Sequence, residues 1–103
     1  MRPTKRISSR RFDRWIKRLK DEKGKGIILA RLHRLMEGLP SDVTPLGQGL
    51  SELRIHYGPG YRVYFHQRGN TLIILLCGGD KGTQKRDIEI AREILDEWRR
   101  QNG

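Results

Sequence analysis

Cysteine is almost absent: Cys77 is the single one in 103 residues, so no disulfide can form within the chain. It lies in the longest apolar run, Leu72–Cys77, which reads as a buried, inert thiol rather than a nucleophile. That run has six residues, far short of the roughly 20 that cross a bilayer. No apolar segment follows the basic N-terminus, as a secretory leader would require. The expected location is the cytoplasm, away from membranes. Histidine is scarce as well. His33, His56 and His66 stand at no metal-ligand spacing from one another or from Cys77, so neither a metal nor a cofactor is expected. Gly58-Pro59-Gly60 and Gly78-Gly79 lack the residues that complete a phosphate-binding loop, and no serine occupies a nucleophile-elbow context.

Negative charge is in short supply. Twelve acidic residues face 22 Lys and Arg, leaving a net charge of +10. The imbalance is local. Residues 1–86 hold 19 basic and 7 acidic residues, whereas residues 87–103 hold 3 and 5. Such a field favours a polyanion, with nucleic acid first among candidates. The hydrophobic fraction, 35%, is modest for a globular chain, so part of the stability can come from a partner. The length fits one domain over residues 1–103, and no repeat or linker divides it.

Periodicity predicts the elements. Residues 1–8 read as a short edge strand, after which Ser8 or Ser9 can cap a helix. Phe12, Trp15, Ile16 and Leu19 form that helix's apolar stripe, opposite Arg10, Arg11, Arg14, Lys17 and Arg18. Gly24 and Gly26 are expected to break the pattern. A second helix carries Ile28, Leu32, Leu35, Met36 and Leu39, and Gly38 and Pro40 end it. Residues 40–48 read as a loop. Three strands follow in a meander, Leu50–Tyr57, Tyr61–Gln67 and Thr71–Cys77, the last apolar enough to be buried on both faces. Gly78-Gly79 opens a loop to Arg86, and Asp87 to Gln101 forms a final helix with Ile88, Ala91, Ile94, Leu95 and Trp98 on one side.

Alternation along the meander places its cations. Arg54 and His56 share one side of the first strand, and Arg62, Tyr64 and His66 share one side of the second. Lys81, Gln84, Lys85 and Arg86 follow the third. Together they make a face that can hold successive phosphates and stack a base. The same pattern also describes an ordinary solvated sheet face.

Two stretches carry a resemblance. Residues 52–65, ELRIHYGPGYRVYF, are similar to the central hairpin of HigB-like addiction-module killer proteins. Residues 75–88, LLCGGDKGTQKRDI, are similar to their C-terminal signature. Phe12 to Asp21 and Ala30 to Leu35 resemble the two leading helices, so the likeness runs from about residue 8 to residue 98. The chain thus resembles the RelE/ParE toxin superfamily. The resemblance implies an α+β RelE-like fold, β-α-α-β-β-β-α, with a small antiparallel sheet, two N-terminal helices and a C-terminal helix. It also implies the toxin of a type II toxin–antitoxin module that cuts mRNA, in most cases on the ribosome, without a metal. The ribose 2′-OH attacks the adjacent phosphate and leaves a cyclic phosphate and a 5′-OH. A helix-turn-helix antitoxin similar to HigA is the implied partner, in a heterotetramer. ParE-like members poison DNA gyrase instead, and a non-catalytic RNA-binding module is a third reading.

The resemblance assigns residues unevenly. Arg62 matches the arginine placed on the scissile phosphate. Arg54 falls where a strand lysine is found, and Lys81 lies in the basic loop before the last helix. The tyrosine some members carry near the start of that helix is missing, with Asp87 at or near its place. His56 stands as the substitute base, since an imidazole exchanges protons near neutral pH. Catalysis is therefore expected from Arg62, Arg54, His56 and Lys81, and RNA binding from Lys85, Gln84, Arg86 and Tyr64.

Overall fold

A computed structural model describes residues 5–102. The chain runs through β1 (Lys5–Ser8), α1 (Arg10–Arg18), α2 (Glu22–Met36), β2 (Val43–Gly47), β3 (Leu50–Ile55), β4 (Tyr61–Arg68), β5 (Leu72–Gly79), a 3-10 turn (Lys81–Thr83) and α3 (Gln84–Asn102). The first four positions of the strand predicted over residues 1–8 lie outside the described residues. The five strands form one sheet in the order β1-β5-β4-β3-β2.

Three expectations need correction. The sheet is mixed rather than antiparallel, because β1 runs parallel to β5 with Lys5 opposite Leu72 and Ser8 opposite Leu75. The predicted 40–48 loop contains β2. Its Pro45 and Gly47 hide it from a propensity reading, and both are tolerated because β2 is an edge strand with a bulge between Pro45 and Gly47. Gly24 and Gly26 do not separate the helices; both lie inside α2. The break falls at Leu19–Asp21, where the Asp21 carboxylate accepts from Gly24 N at 2.9 Å and caps α2. A Cβ on Gly24 would come within 2.4–2.8 Å of that carboxylate and the Tyr61 ring, so close approach explains this glycine.

The other helix signals lie where the chain's chemistry puts them. Ser9 caps α1: its Oγ accepts from Phe12 N at 3.0 Å. Gly38, at φ +73°, ends α2 in a Schellman turn, with Leu39 N bonded to Arg34 O and Gly38 N to Leu35 O. That turn leaves Leu39 exposed instead of in the core.

Both sheet faces are covered. Phe12, Ile28 and Leu32 of α1 and α2 pack on Leu53, Ile55, Tyr61, Val63, Phe65, Ile73 and Leu75. On the other face, Ala91 and Leu95 of α3 pack on Leu50, Tyr64, Ile74, Leu76 and Cys77. Among the described residues no helix is long and apolar enough to cross a membrane.

Candidate functional site

The expected cationic face is the one α3 covers, and this changes its character. β3 and β4 are antiparallel neighbours with Arg54 opposite Arg62 and Glu52 opposite Tyr64, so these four side chains share that face. Tyr64 is fully buried among the α3-side core residues. It cannot stack a base there, contrary to expectation, because α3 lies over it. Its hydroxyl is buried with no hydrogen-bond partner among the described residues. Burial, with the Glu52 carboxylate beside it, pushes the phenol's pKa well above the ordinary range. Arg62 is also not on a solvent face: only 9% of the residue is exposed.

The centre of the arrangement is Glu52, 2% exposed, which reading by charge alone passed over. One of its oxygens lies 3.8 Å from Arg62 Nη1 and 3.8 Å from Arg54 Nε, and the other accepts from Gln84 Nε2 at 2.8 Å. Its position two residues before Arg54 on the same strand was the available signal. The 3.8 Å contacts are ionic, too long for hydrogen bonds. Accordingly, Nε of Arg54 and Nε of Arg62 are both buried without a hydrogen-bond partner among the described residues. Arg54 also donates from Nη2 to Thr44 Oγ1 at 2.5 Å and lies 3.9 Å from Asp42.

Asp42 ties the next residue in. Its second oxygen bonds His56 Nε2, while its first faces Arg54. The His56 hydrogen bond holds the Asp42 carboxyl below the usual carboxylate range, with the Arg54 charge adding to it and partial burial opposing it. His56 is exposed, so a ligand can reach its ring.

Lys81 is exposed in the 3-10 turn, with its N–H directed at Pro59 O across the β3–β4 turn. Asp80 caps that turn, accepting from Gly82 N at 2.8 Å. Lys85 and Arg86 are exposed on the first turn of α3, whereas Gln84 is turned inward to Glu52. The structure thus links Arg54, Arg62, His56 and Gln84 through Glu52 and Asp42, and leaves Lys81, Lys85 and Arg86 exposed on the 3-10 turn and the start of α3.

Gly78 and Gly79 end β5 instead of opening a loop. A Cβ on Gly78 would meet the Trp15 ring at 2.3 Å, and one on Gly79 would meet Asp87 Oδ2 at 1.9 Å. The pair is pinched between α1 and α3, so no larger residue fits at either position. Asp87, 5% exposed, accepts from Thr83 Oγ1 at 2.5 Å, which secures the start of α3 over Gly79. Cys77 is buried, and burial pushes its thiol up to about 12, so it stays protonated. Among the described residues no group of three or more His, Cys, Asp or Glu is placed to hold a metal ion.

A five-stranded mixed sheet with two leading helices on one face and a closing helix on the other is the architecture of a RelE-like fold. Residues 14–96 match the family described as phage-derived, Gp49-like proteins, and the chain belongs to that family, a toxin-like one related to RelE. It is 45% identical over 86 residues to an uncharacterised protein of Haemophilus influenzae, a match covering 84% of this chain and 87% of the other.

Proposed function

We propose that this protein is the toxin of a type II toxin–antitoxin module and inhibits translation by cutting mRNA on the ribosome. The observation that carries the reading is the loosely paired arginine cluster. Arg54 and Arg62 face one another across β3 and β4, and each is held by Glu52 only at ionic distance. A phosphate can draw such guanidiniums into bidentate hydrogen bonds that Glu52 does not supply. Two such groups stabilise the extra negative charge that develops when a ribose 2′-OH attacks the neighbouring phosphorus. One transition-state contact of this kind contributes about 2.7–4 kcal/mol.

His56 takes the 2′-OH proton in this scheme, oriented by its bond to Asp42 as a base is oriented by a third group. The 2′O–P bond forms as the P–O5′ bond breaks, and the leaving oxygen takes a proton from water, so the products are a 2′,3′-cyclic phosphate and a 5′-OH. Lys81, Lys85 and Arg86, exposed on the 3-10 turn and the start of α3, hold the RNA backbone. Tyr64 has no part in contacting RNA, and Gln84 acts by fixing Glu52. In the cell, a helix-turn-helix antitoxin similar to HigA silences the toxin in a cytoplasmic complex of two toxins and two antitoxins.

One observation favours a second reading. Arg54 and Arg62 already have carboxylate partners, as a structural network would, and this suits a ParE-like poison of DNA gyrase that has no nuclease site. Induction without the antitoxin, followed by pulse labelling, separates them. Methionine incorporation falls first if translation is the target; thymidine falling first defeats the nuclease reading. Single-turnover cleavage of ribosome-bound mRNA then tests the base: His56→Ala should cut the rate by about 10²–10⁴ while ribosome binding is kept.

A further inference from the structure

A second cationic site lies away from Glu52. Arg11, Arg14 and Arg18 follow one another at helical spacing along α1 and line one wall of a cleft of about 430 Å³. Arg86, on the first turn of α3, lines it from across the C-terminal end of β5, with Gly78 and Gly79 as the floor and Trp15 between them. All four arginines are exposed and Trp15 is partly so.

What separates this cleft from the Arg54–Arg62 cluster is that its guanidiniums are unpaired. None of its four arginines makes an ion pair or a hydrogen bond among the described residues. The two carboxylates in the lining bond neutral donors, Asp80 with Gly82 N and Asp87 with Thr83 Oγ1, so four arginines against two aspartates leave the lining net positive. An excess of positive charge around a small concave surface raises the local potential and concentrates anions there. The aromatic ring set among them suits a polymer with both phosphates and unstacked bases. A duplex hides its base faces, and an acidic peptide has no use for the ring. The cleft also adjoins the proposed cleavage site, since Gly79 in its floor is paired with Arg62 on the next strand.

We infer that single-stranded RNA lies in this cleft, its phosphates on Arg11, Arg14, Arg18 and Arg86 and a base against Trp15, continuing the strand presented to Arg62. The identity of the polymer rests on the RNA-directed reading above; the presence of an anion track does not.

The test is binding of a labelled 2′-O-methyl oligouridylate of about 12 nucleotides, within the range of single-strand sites. It cannot be cleaved through the 2′ oxygen, so binding is read apart from activity. The triple variant Arg14→Gln, Arg18→Gln, Arg86→Gln alters only exposed side chains. It should lose affinity about tenfold or more, and its salt slope should fall by about 2, as expected for three phosphate contacts on a single strand. A charge-matched control, Lys17→Gln, Lys20→Gln, Arg31→Gln, lies outside the cleft and should stay within about threefold of wild type, because those charges act only through a screened field. Equal losses in the two triples, or no loss in the first, overturn the inference. So does tighter binding of duplex RNA, or of a polyglutamate peptide, at the same arginines. Failure of the toxin reading looks different: wild type leaves translation running while the cleft triple still loses RNA binding.

Discussion

The two faces of the sheet are both buried, yet they are built from different materials. Under α1 and α2 the enclosed residues are apolar, with Tyr61 reaching out through its hydroxyl to Asp21 at 2.7 Å. Under α3 the enclosed set includes Glu52, Arg62 and Asp87 beside Leu50, Ile74 and Leu76. Burying apolar surface stabilises a fold outright, whereas burying charges does so only when geometry compensates their lost hydration. The contrast teaches where each task is done: the first face fixes the fold, and the second keeps a costly set of charges within it. Charges held at that cost are candidates for chemistry.

Removing Glu52 should break the contrast most severely. Glu52→Ala leaves Arg62 buried without its carboxylate and should cost about 3–5 kcal/mol, measured by urea denaturation. A cost below about 1 kcal/mol, in the range of an exposed pair, would mean the α3 face is effectively wet and the two faces are alike. Next, Arg62→Ala should lower single-turnover cleavage by about 10²–10³. Because Arg62 is buried, this variant is expected to lose stability too. Arg62→Lys keeps the charge, should hold stability closer to wild type and should still cleave poorly, since an ammonium cannot fork a phosphate. Full activity in either variant removes Arg62 from the site.

On the other face the sharpest probe is the cap of α1. Ser9→Ala deletes the acceptor for Phe12 N and should cost about 1 kcal/mol with no change in cleavage per folded molecule. A selective loss of activity would show that the apolar face also serves the site. The narrowest probe is pH dependence. Burial first, then the hydrogen bond to Asp21, raise the Tyr61 phenol to about 12, so the folded state holds that proton more tightly than the unfolded chain does. The resulting stability is complete below the ordinary phenol pKa of about 10 and is lost as pH rises toward 12. Tyr61→Phe should flatten that alkaline limb in thermal melts between those pH values.

Most of the fold was legible because the apolar stripes were strong. Phe12, Ile28, Leu53, Val63 and Leu75 all face inward as their spacing required. The wet face read for Arg62 and Tyr64 fails for a reason also present in the sequence. Ile88, Ala91 and Leu95 form a third helical stripe, and two N-terminal helices already fill one side, so the third had to cover the other. The strand β2 was illegible because Pro45 and Gly47 disfavour strands except at an edge, and edge position is a property of the assembled sheet. The link between Arg11, Arg14, Arg18 and Arg86 depends on contacts between distant parts of the chain that no local pattern encodes. Glu52 was visible as a residue, but its partners Arg62 and Gln84 became visible only with the strand register.

The parallel edge gives the molecule a particular order of assembly. Among the described strands β1 is the first made, yet its partner β5 is the last, with Lys5 set against Leu72. Local helices coil within microseconds, but joining two segments so far apart demands an entropic loss before any contact repays it. During synthesis at about 5–20 residues per second, α1 and α2 emerge several seconds before the strand that completes the surface beneath them. Closure of the β1 edge therefore waits for β5 to be made. A nascent product stopped before Leu72 would carry the arginines of α1 with no sheet edge to aim them.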